Sequence, residues 1–94
     1  MPIDADLVAS TALACPSVAS LTGGAMGEVA TYLPGRRVVG VRISDHEVEV
    51  HVRARWGAVL PDVGKEVRSA LGRLAEGRSV SVYIDDVEAP SDDG

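Results

Sequence analysis

The sequence is poor in aromatic residues and has no long apolar run. It contains no Phe, one Trp and two Tyr, and its single Cys cannot form an internal disulfide. Its 94 residues are enough for one small domain, whose core must be built from Val, Leu, Ile and Ala. No stretch of about 18 apolar residues occurs, and no basic segment precedes an apolar one. We therefore expect neither a membrane span nor a secretory signal, and a cytoplasmic location.

Clustered positive charge is also missing. All nine Lys and Arg lie in residues 1–84 together with nine of the fourteen acidic residues, so this part of the chain is neutral. The net charge of −5 comes from the end of the chain, from Asp85, Asp86, Glu88, Asp92 and Asp93. Because sequence-independent affinity for nucleic acid comes mainly from clustered Lys and Arg, we expect no nucleic-acid partner. Residues 24–27 match the GxxG loop of KH domains, but Glu28 follows them and no helix is indicated there.

Residues 38–56, VVGVRISDHEVEVHVRARW, alternate apolar and polar positions on both sides of a short polar break. This pattern predicts a β-hairpin. A two-residue turn at Asp45 and His46 would pair position 43 with 48, 42 with 49, 41 with 50 and 39 with 52. The apolar side chains then share one face, and Arg42 meets Glu49 on the other, a pair worth about 0.2–1 kcal/mol. Trp56 is in phase with the valines, so we expect it to cap the core.

A helix and a short strand are predicted before the hairpin. The helix begins at an N-cap, Asp4 or Asp6, and ends near Cys15, because Pro16 opposes its continuation. Residues 17–22 alternate weakly, so a short strand there is one of two open interpretations, the other being a loop. Cys15 is expected to be a buried small residue at the helix end, since no second Cys lies near it.

A second helix follows the hairpin, from Pro61 to Gly77. Its apolar stripe consists of Val63, Val67, Ala70, Leu71 and Leu74. Residues 79–86, SVSVYIDD, alternate again and predict a strand. Because a helix connects them, this strand is expected to lie parallel to residues 47–56 through a right-handed crossover.

Residues 23–37, GGAMGEVATYLPGRR, begin and end with turn residues, which is typical of a connection that leaves and re-enters the fold. We call this segment the insert. Its centre is β-prone and predicts an extra edge strand or a lip on the domain. Tyr32, Leu33, Arg36 and Arg37 combine residue types that favour protein contacts, with Tyr and Arg common at binding hot spots. The alternative is that Tyr32 and Leu33 cover the hairpin edge, and both interpretations stay open.

The outward face of the predicted sheet has no third helix to cover it. It carries Arg42, Glu49, His51, Arg53, Arg55, Ser81 and Tyr83. This face is either simply solvated or a surface for another protein. Glu49, His51 and Tyr83 could instead serve a small enzyme or ligand-binding domain, although no Ser or Cys nucleophile lies near them. No metal-ligand spacing and no nucleotide-binding motif occurs, so we expect no catalytic residue, no metal and no cofactor.

Three segments in this order, ACPSVASLTGG, GVRISDHEVEVHVRARWG, and LPDVGKEVRSALGRL followed by YIDDV, resemble a known family. They are similar to the alkaline shock protein (Gls-type) family of bacterial envelope stress proteins, in particular to its short actinobacterial-type members. The resemblance implies a non-enzymatic cytoplasmic protein that self-associates and is held near the membrane by a membrane-anchored protein partner. It implies no direct insertion into the membrane.

The combined expectation is a single α+β domain in residues 1–88, followed by a short disordered acidic tail in residues 89–94. The domain is expected to hold a mixed, mostly antiparallel sheet of three to five strands with two helices packed on one face. Its function is expected to be a protein-interaction module, and the alternative is the enzyme or ligand-binding domain that uses Glu49, His51 and Tyr83.

Overall fold

The computed structural model describes residues 3–90, so residues 91–94 of the expected tail lie outside the described residues. The elements follow in the order α1 (Ala5–Leu13), β1 (Val18–Leu21), β2 (Ala30–Leu33), β3 (Arg36–Val39), β4 (Val41–Ile43), β5 (Glu47–Ala54), α2 (Leu60–Leu71) and β6 (Ser79–Val87). Four strands form a mostly antiparallel sheet, and β2 and β3 form a separate pair. The predicted α+β class is confirmed.

Strand β5 is the centre of the sheet. Strand β6 runs parallel to it on one side along its whole length, as predicted. On the other side β4 and β1 pair with the two halves of β5, both antiparallel. The backbone of His51 marks the junction, because Thr22 N donates to His51 O and His51 N donates to Gly40 O. The chain thus leaves the sheet after Thr22, forms the insert, and returns to the sheet at Gly40.

The predicted hairpin register is correct for β4 and wrong beyond it. Val41, Arg42 and Ile43 lie opposite Val50, Glu49 and Val48. Val39, expected opposite Val52, instead pairs with Ala30, and Leu21 takes the place opposite Val52. The physical reason is Gly40, whose φ of +89° turns the chain away from β5.

The turn between β4 and β5 has the predicted length. Ser44 N donates to Glu47 O, which leaves Asp45 and His46 as the two turn residues. Neither of them adopts a positive φ. The Ser44 hydroxyl accepts from the backbone N–H groups of His46 and Glu47 and stabilises the turn.

Helix α1 is capped by Asp4, whose carboxylate accepts from the N–H groups of Asp6 and Leu7. Helix α2 ends at Leu71, before the predicted end at Gly77. Gly72 follows it, and Gly weakens a helix. Gly77, with φ +84°, lies in the turn ahead of β6.

The core lies between the two helices and the valine face of the sheet. Its fully buried side chains are Val8, Val18, Val41, Val48, Val50, Val52, Val63, Val67 and Leu71. Ala70, predicted in the buried stripe, is exposed, and Ala75 is buried near the end of α2. In residues 3–90 neither helix has the length and apolar character needed to cross a bilayer.

Trp56 does not cap the core as the sequence predicted, because its side chain is 62% exposed. Strand β5 ends at Ala54, so Trp56 lies past the last residue whose direction the strand determines. Gly57, with φ +85°, then turns the chain toward α2. Alternation predicts a side chain's direction only while the strand continues.

Candidate functional site

The candidate site is built around His51 on the outward face of β5. Alternation along β5 directs Val48, Val50 and Val52 into the core, so His51 must point to the other side of the sheet. There it is nevertheless buried, with 8% of its surface exposed. Tyr83 on β6 stacks on the imidazole, with ring centroids 4.6 Å apart and planes 15° apart. The insert passes close as well, since a Cβ on Gly24 would lie 3.7 Å from His51 Nδ1.

Both ring nitrogens of His51 contact carboxylates. Nδ1 lies 2.6 Å from Asp85 Oδ2, and Nε2 lies 2.6 Å from Glu49 Oε2. Asp85 reaches the ring through an irregularity in β6: Val52 pairs with Ile84 and Arg53 with Asp86, which leaves Asp85 as an extra residue. The Thr22 hydroxyl donates to the same Asp85 oxygen at 2.7 Å. The three strands β1, β5 and β6 thus meet in one hydrogen-bonded group.

This geometry restricts what the imidazole can do. The donor and acceptor roles in these two contacts depend on the tautomer of the ring, and in each tautomer both ring nitrogens are engaged within the protein. A ring that is 8% exposed and held in this way offers neither nitrogen to a substrate. The arrangement therefore suits a structural cross-link between strands better than a general base.

The charged side chains around His51 are paired across the strands. Arg42 lies 3.8 Å from Glu49, as the hairpin register predicted. Arg53 lies 3.2 Å from Asp86, and Arg55 lies 3.9 Å from Glu88. The three Arg side chains are about half exposed, and Tyr83 is 45% exposed. The face thus presents an aromatic ring among paired charges.

Two of the surface depressions bordered by residues 3–90 have none of Glu49, His51 and Tyr83 in their lining. One of about 320 Å³ is bordered by Thr22, Gly24, Arg53 and Asp85, among others. The other, of about 360 Å³, lies between the turn after β5 and the end of α1, next to Trp56 and Pro16. The three residues of the enzyme hypothesis do come together in the structure, but they pack against one another.

The insert residues contact a different part of the domain. The Arg36 guanidinium forms a two-point ion pair with the Asp6 carboxylate on α1, and this hydrogen bonding lowers the pKa of Asp6. Leu33 packs against the core, whereas Tyr32 is 69% exposed and Arg37 is exposed. The Thr31 hydroxyl donates to Val41 O at 2.6 Å. The insert is thus docked on α1 and β4, with Tyr32 and Arg37 facing solvent.

Two residues of the site were not identified from sequence. Alternation places Asp85 on the outward face, but no local signal indicates that it contacts His51. Thr22 precedes the insert and carries no pattern that relates it to β6. Both contacts join residues far apart in sequence, which is why local patterns miss them.

Metal and thiol chemistry have little support in the described part of the chain. No group of three or more His, Cys, Asp or Glu side chains in residues 3–90 could hold a metal ion. Glu49 and Asp85 lie at opposite nitrogens of the ring, so they do not converge on one point. Cys15 is buried, and its burial together with the negative charge of Glu66 raises the pKa of its thiol.

Comparisons of the chain with protein-family models, with curated proteins and with solved structures find no match. The site is defined by its geometry as a doubly hydrogen-bonded imidazole beneath a half-exposed tyrosine, on a charged sheet face.

Proposed function

We propose that the protein is a non-enzymatic protein-interaction module that acts through self-association and contacts with partner proteins. The observation that carries this proposal is the engagement of His51 at both ring nitrogens. His is the residue type that acts most often as a general acid or base, and here its nitrogens are occupied by the protein itself. An imidazole engaged in this way supports a binding role for the sheet face over a catalytic one.

The composition of that surface also supports a protein partner. Tyr83 supplies a half-exposed aromatic ring, and Arg42, Arg53 and Arg55 surround it. Tyr and Arg are enriched at protein interfaces, and charges at the rim of an interface favour one partner over another. On the insert, Tyr32 and Arg37 offer a second exposed pair of the same types.

The resemblance to the alkaline shock protein family gives the proposal its cellular setting. In this setting the protein works in the cytoplasm in the response to envelope stress, and a membrane-anchored partner holds it near the inner face of the membrane. The enzyme or ligand-binding alternative requires at least one ring nitrogen of His51 to leave its carboxylate, so that Glu49, His51 and Tyr83 open toward a substrate.

The proposal is tested by capture of partners from the cells that encode the protein, with chemical cross-linking before lysis. The test variant is Arg53→Ala combined with Tyr83→Ser, which changes the outward face. The matched control is Lys65→Ala combined with Arg73→Ala, two exposed residues on and just after α2. We expect the native chain and the control to capture the same protein and the face variant to lose it, with all three chains folded at the temperature of capture. Equal capture by all three chains would refute the role of this face.

A further inference from the structure

Trp56 is held at the protein surface by the turn that follows β5. Ala58 N donates to Arg55 O and closes this turn, and Gly57 takes the positive φ of +85° within it. The indole is therefore presented to solvent on a defined backbone, and Trp56 is 62% exposed. Two further exposed apolar residues follow it in the chain, Val59 and Leu60. Grouped exposed apolar side chains, unlike single ones, indicate an interaction site.

The indole borders a depression of about 360 Å³ between this turn, the end of α1 and Glu66 on α2. The turn and the end of α1 are joined by Arg55, whose backbone N donates to Ser17 O and whose Nε donates to Pro16 O. Pockets for small-molecule ligands span about 300–1,000 Å³. A depression at the lower end of this range suits one side chain of a partner better than a large cofactor.

Glu66 supplies a fixed negative charge to the lining. Its Oε1 accepts from Ser17 N at 3.2 Å and from the Ser17 hydroxyl at 2.9 Å. Within residues 3–90, Oε2 accepts no hydrogen bond and no ion pair includes Glu66, although the residue is only partly exposed. Burial and this negative charge together raise the pKa of the Cys15 thiol. One carboxylate oxygen of Glu66 is thus oriented by neutral donors while the other is available to a cation.

The other charges around the depression do not neutralise Glu66. Arg55 also lines the depression, but its guanidinium lies 3.9 Å from Glu88, and its Nε is engaged with Pro16 O. Asp62 lies one helical turn before Glu66 and is exposed, so it adds a second negative charge on the same side of α2. The depression therefore favours a positively charged group.

We propose that this depression binds an arginine side chain of a protein partner, with the guanidinium on Glu66 Oε2 and its flat face against the indole of Trp56. Trp is the aromatic residue that attracts cations most strongly. A guanidinium can stack on a ring while its N–H groups donate in plane to a carboxylate, whereas a lysine ammonium has no flat face. The site uses neither Arg53 nor Tyr83, so it goes beyond the proposed function and adds a second contact to it.

The first test titrates the ¹⁵N-labelled native chain with the blocked tripeptide Gly-Arg-Gly and follows the NMR spectrum. We expect shifts of the Trp56 indole N–H and of the Ser17 and Gly57 amides, with a dissociation constant of about 1 mM. Citrulline in place of arginine keeps the shape and removes the charge, so this peptide should bind at least about tenfold more weakly. Shifts elsewhere only, or equal binding of the citrulline or lysine peptide, overturn the proposal.

The second test compares Glu66→Gln with Asp45→Asn. Glutamine removes the charge and keeps a side-chain oxygen for Ser17, and Asp45→Asn makes the same charge change at an exposed position in the turn between β4 and β5. We expect Glu66→Gln to weaken the arginine peptide at least about fivefold at low salt and Asp45→Asn to change it by less than about twofold. Equal affinities in these two variants would rule out Glu66 as the anionic partner.

Should Glu66→Gln fail to fold, Trp56→Ala gives an independent answer, because an exposed ring has little core contact to lose. Binding is then read at the Ser17 and Gly57 amides, and we expect it to weaken at least about fivefold. Val59→Ala is the matched control, an exposed apolar residue that does not line the depression. A folded Trp56→Ala chain that binds the peptide like Val59→Ala contradicts the stacking on the indole.

These experiments separate the depression from the outward face. If the arginine peptide does not bind while the Arg53→Ala, Tyr83→Ser variant loses its partner, the inference about Trp56 fails and the interaction module stands. If the peptide binds as expected and no partner depends on the outward face, the site at Trp56 is supported and the role of that face in the proposed function fails.

Discussion

Gly40 lies so close to the end of β1 that a Cβ at this position would be 2.9 Å from Leu21 Cβ and 2.9 Å from Thr22 O. This contact joins the two points at which the insert leaves and re-enters the sheet. It allows β1 and β4 to follow one another along β5, with His51 bonded to both.

Gly40→Ala is therefore expected to destabilise the fold by about 2 kcal/mol or more, because a side chain there meets backbone atoms and φ is +89°. The measurement is the free energy of unfolding in urea. Gly35→Ala is the matched control, since Gly35 also has a positive φ, +76°, and open space around it. If the two variants lose the same free energy of unfolding, the close approach at Gly40 does not contribute to stability.

His51→Asn should destabilise the protein by about 2 kcal/mol, because the shorter side chain cannot reach both Glu49 and Asp85. Arg42→Ala is the control on the same face, where an exposed pair at 3.8 Å is worth about 0.5 kcal/mol or less. Chemical denaturation of both variants provides the comparison. If the His51→Asn chain is as stable as the native chain, His51 does not act as a cross-link between β5 and β6.

Leu71→Ala should cost about 3 kcal/mol and Val50→Ala somewhat less, since both side chains are fully buried between α2 and the sheet. Denaturation midpoints measure these losses. Val59→Ala serves as the control because Val59 is 61% exposed. If neither core variant shifts its midpoint, the packing of α2 on the valine face is wrong.

Trp56→Ala should change the stability by less than about 1 kcal/mol, although truncation of a buried Trp costs about 3–5 kcal/mol. Exposure of 62% leaves the ring little core contact to lose. Trp56 is also the only Trp, so its fluorescence reports directly on its surroundings. We expect the emission maximum of the folded protein to lie close to that of the unfolded chain, and a large blue shift in the folded state would contradict this exposure.

The pKa of Asp6 is lowered by its hydrogen bonds to Arg36, so Arg36→Ala should return it toward the ordinary value of an Asp. A carboxyl whose folded pKa is lowered stabilises the fold above its unfolded pKa, and this contribution disappears as the pH falls through the folded pKa. The stability difference between the native chain and Arg36→Ala should therefore shrink on acidification. An NMR titration of the Asp6 side chain in the native chain and in Arg36→Ala measures the shift. An unchanged Asp6 titration in the variant would show that the ion pair does not form in solution.

Local patterns in the sequence were sufficient for most elements. Alternation predicted the pairing of β4 with β5, because a side chain's face along a strand depends only on its neighbours. The helix that connects β5 to β6 predicted their parallel arrangement. Capping and breaking residues predicted that α1 begins at Asp4 or Asp6, of which Asp4 is the N-cap, and that Pro61 lies in the first turn of α2. The same patterns were wrong at Val39 and Trp56, where the regular element ends sooner than the pattern does, and at Ala70, which is exposed although it lies within α2.

The sequence by itself determined most of the residues that face the core, since apolar side chains recur with the period of the strand or helix that buries them. The tertiary structure decided what the outward residues touch. His51 and Asp85 are 34 positions apart and meet because an extra residue in β6 turns Asp85 toward the ring. Arg36 and Asp6 are 30 positions apart and meet because the insert folds back onto α1. Such contacts depend on the relative positions of packed elements, which no periodicity within a single element encodes.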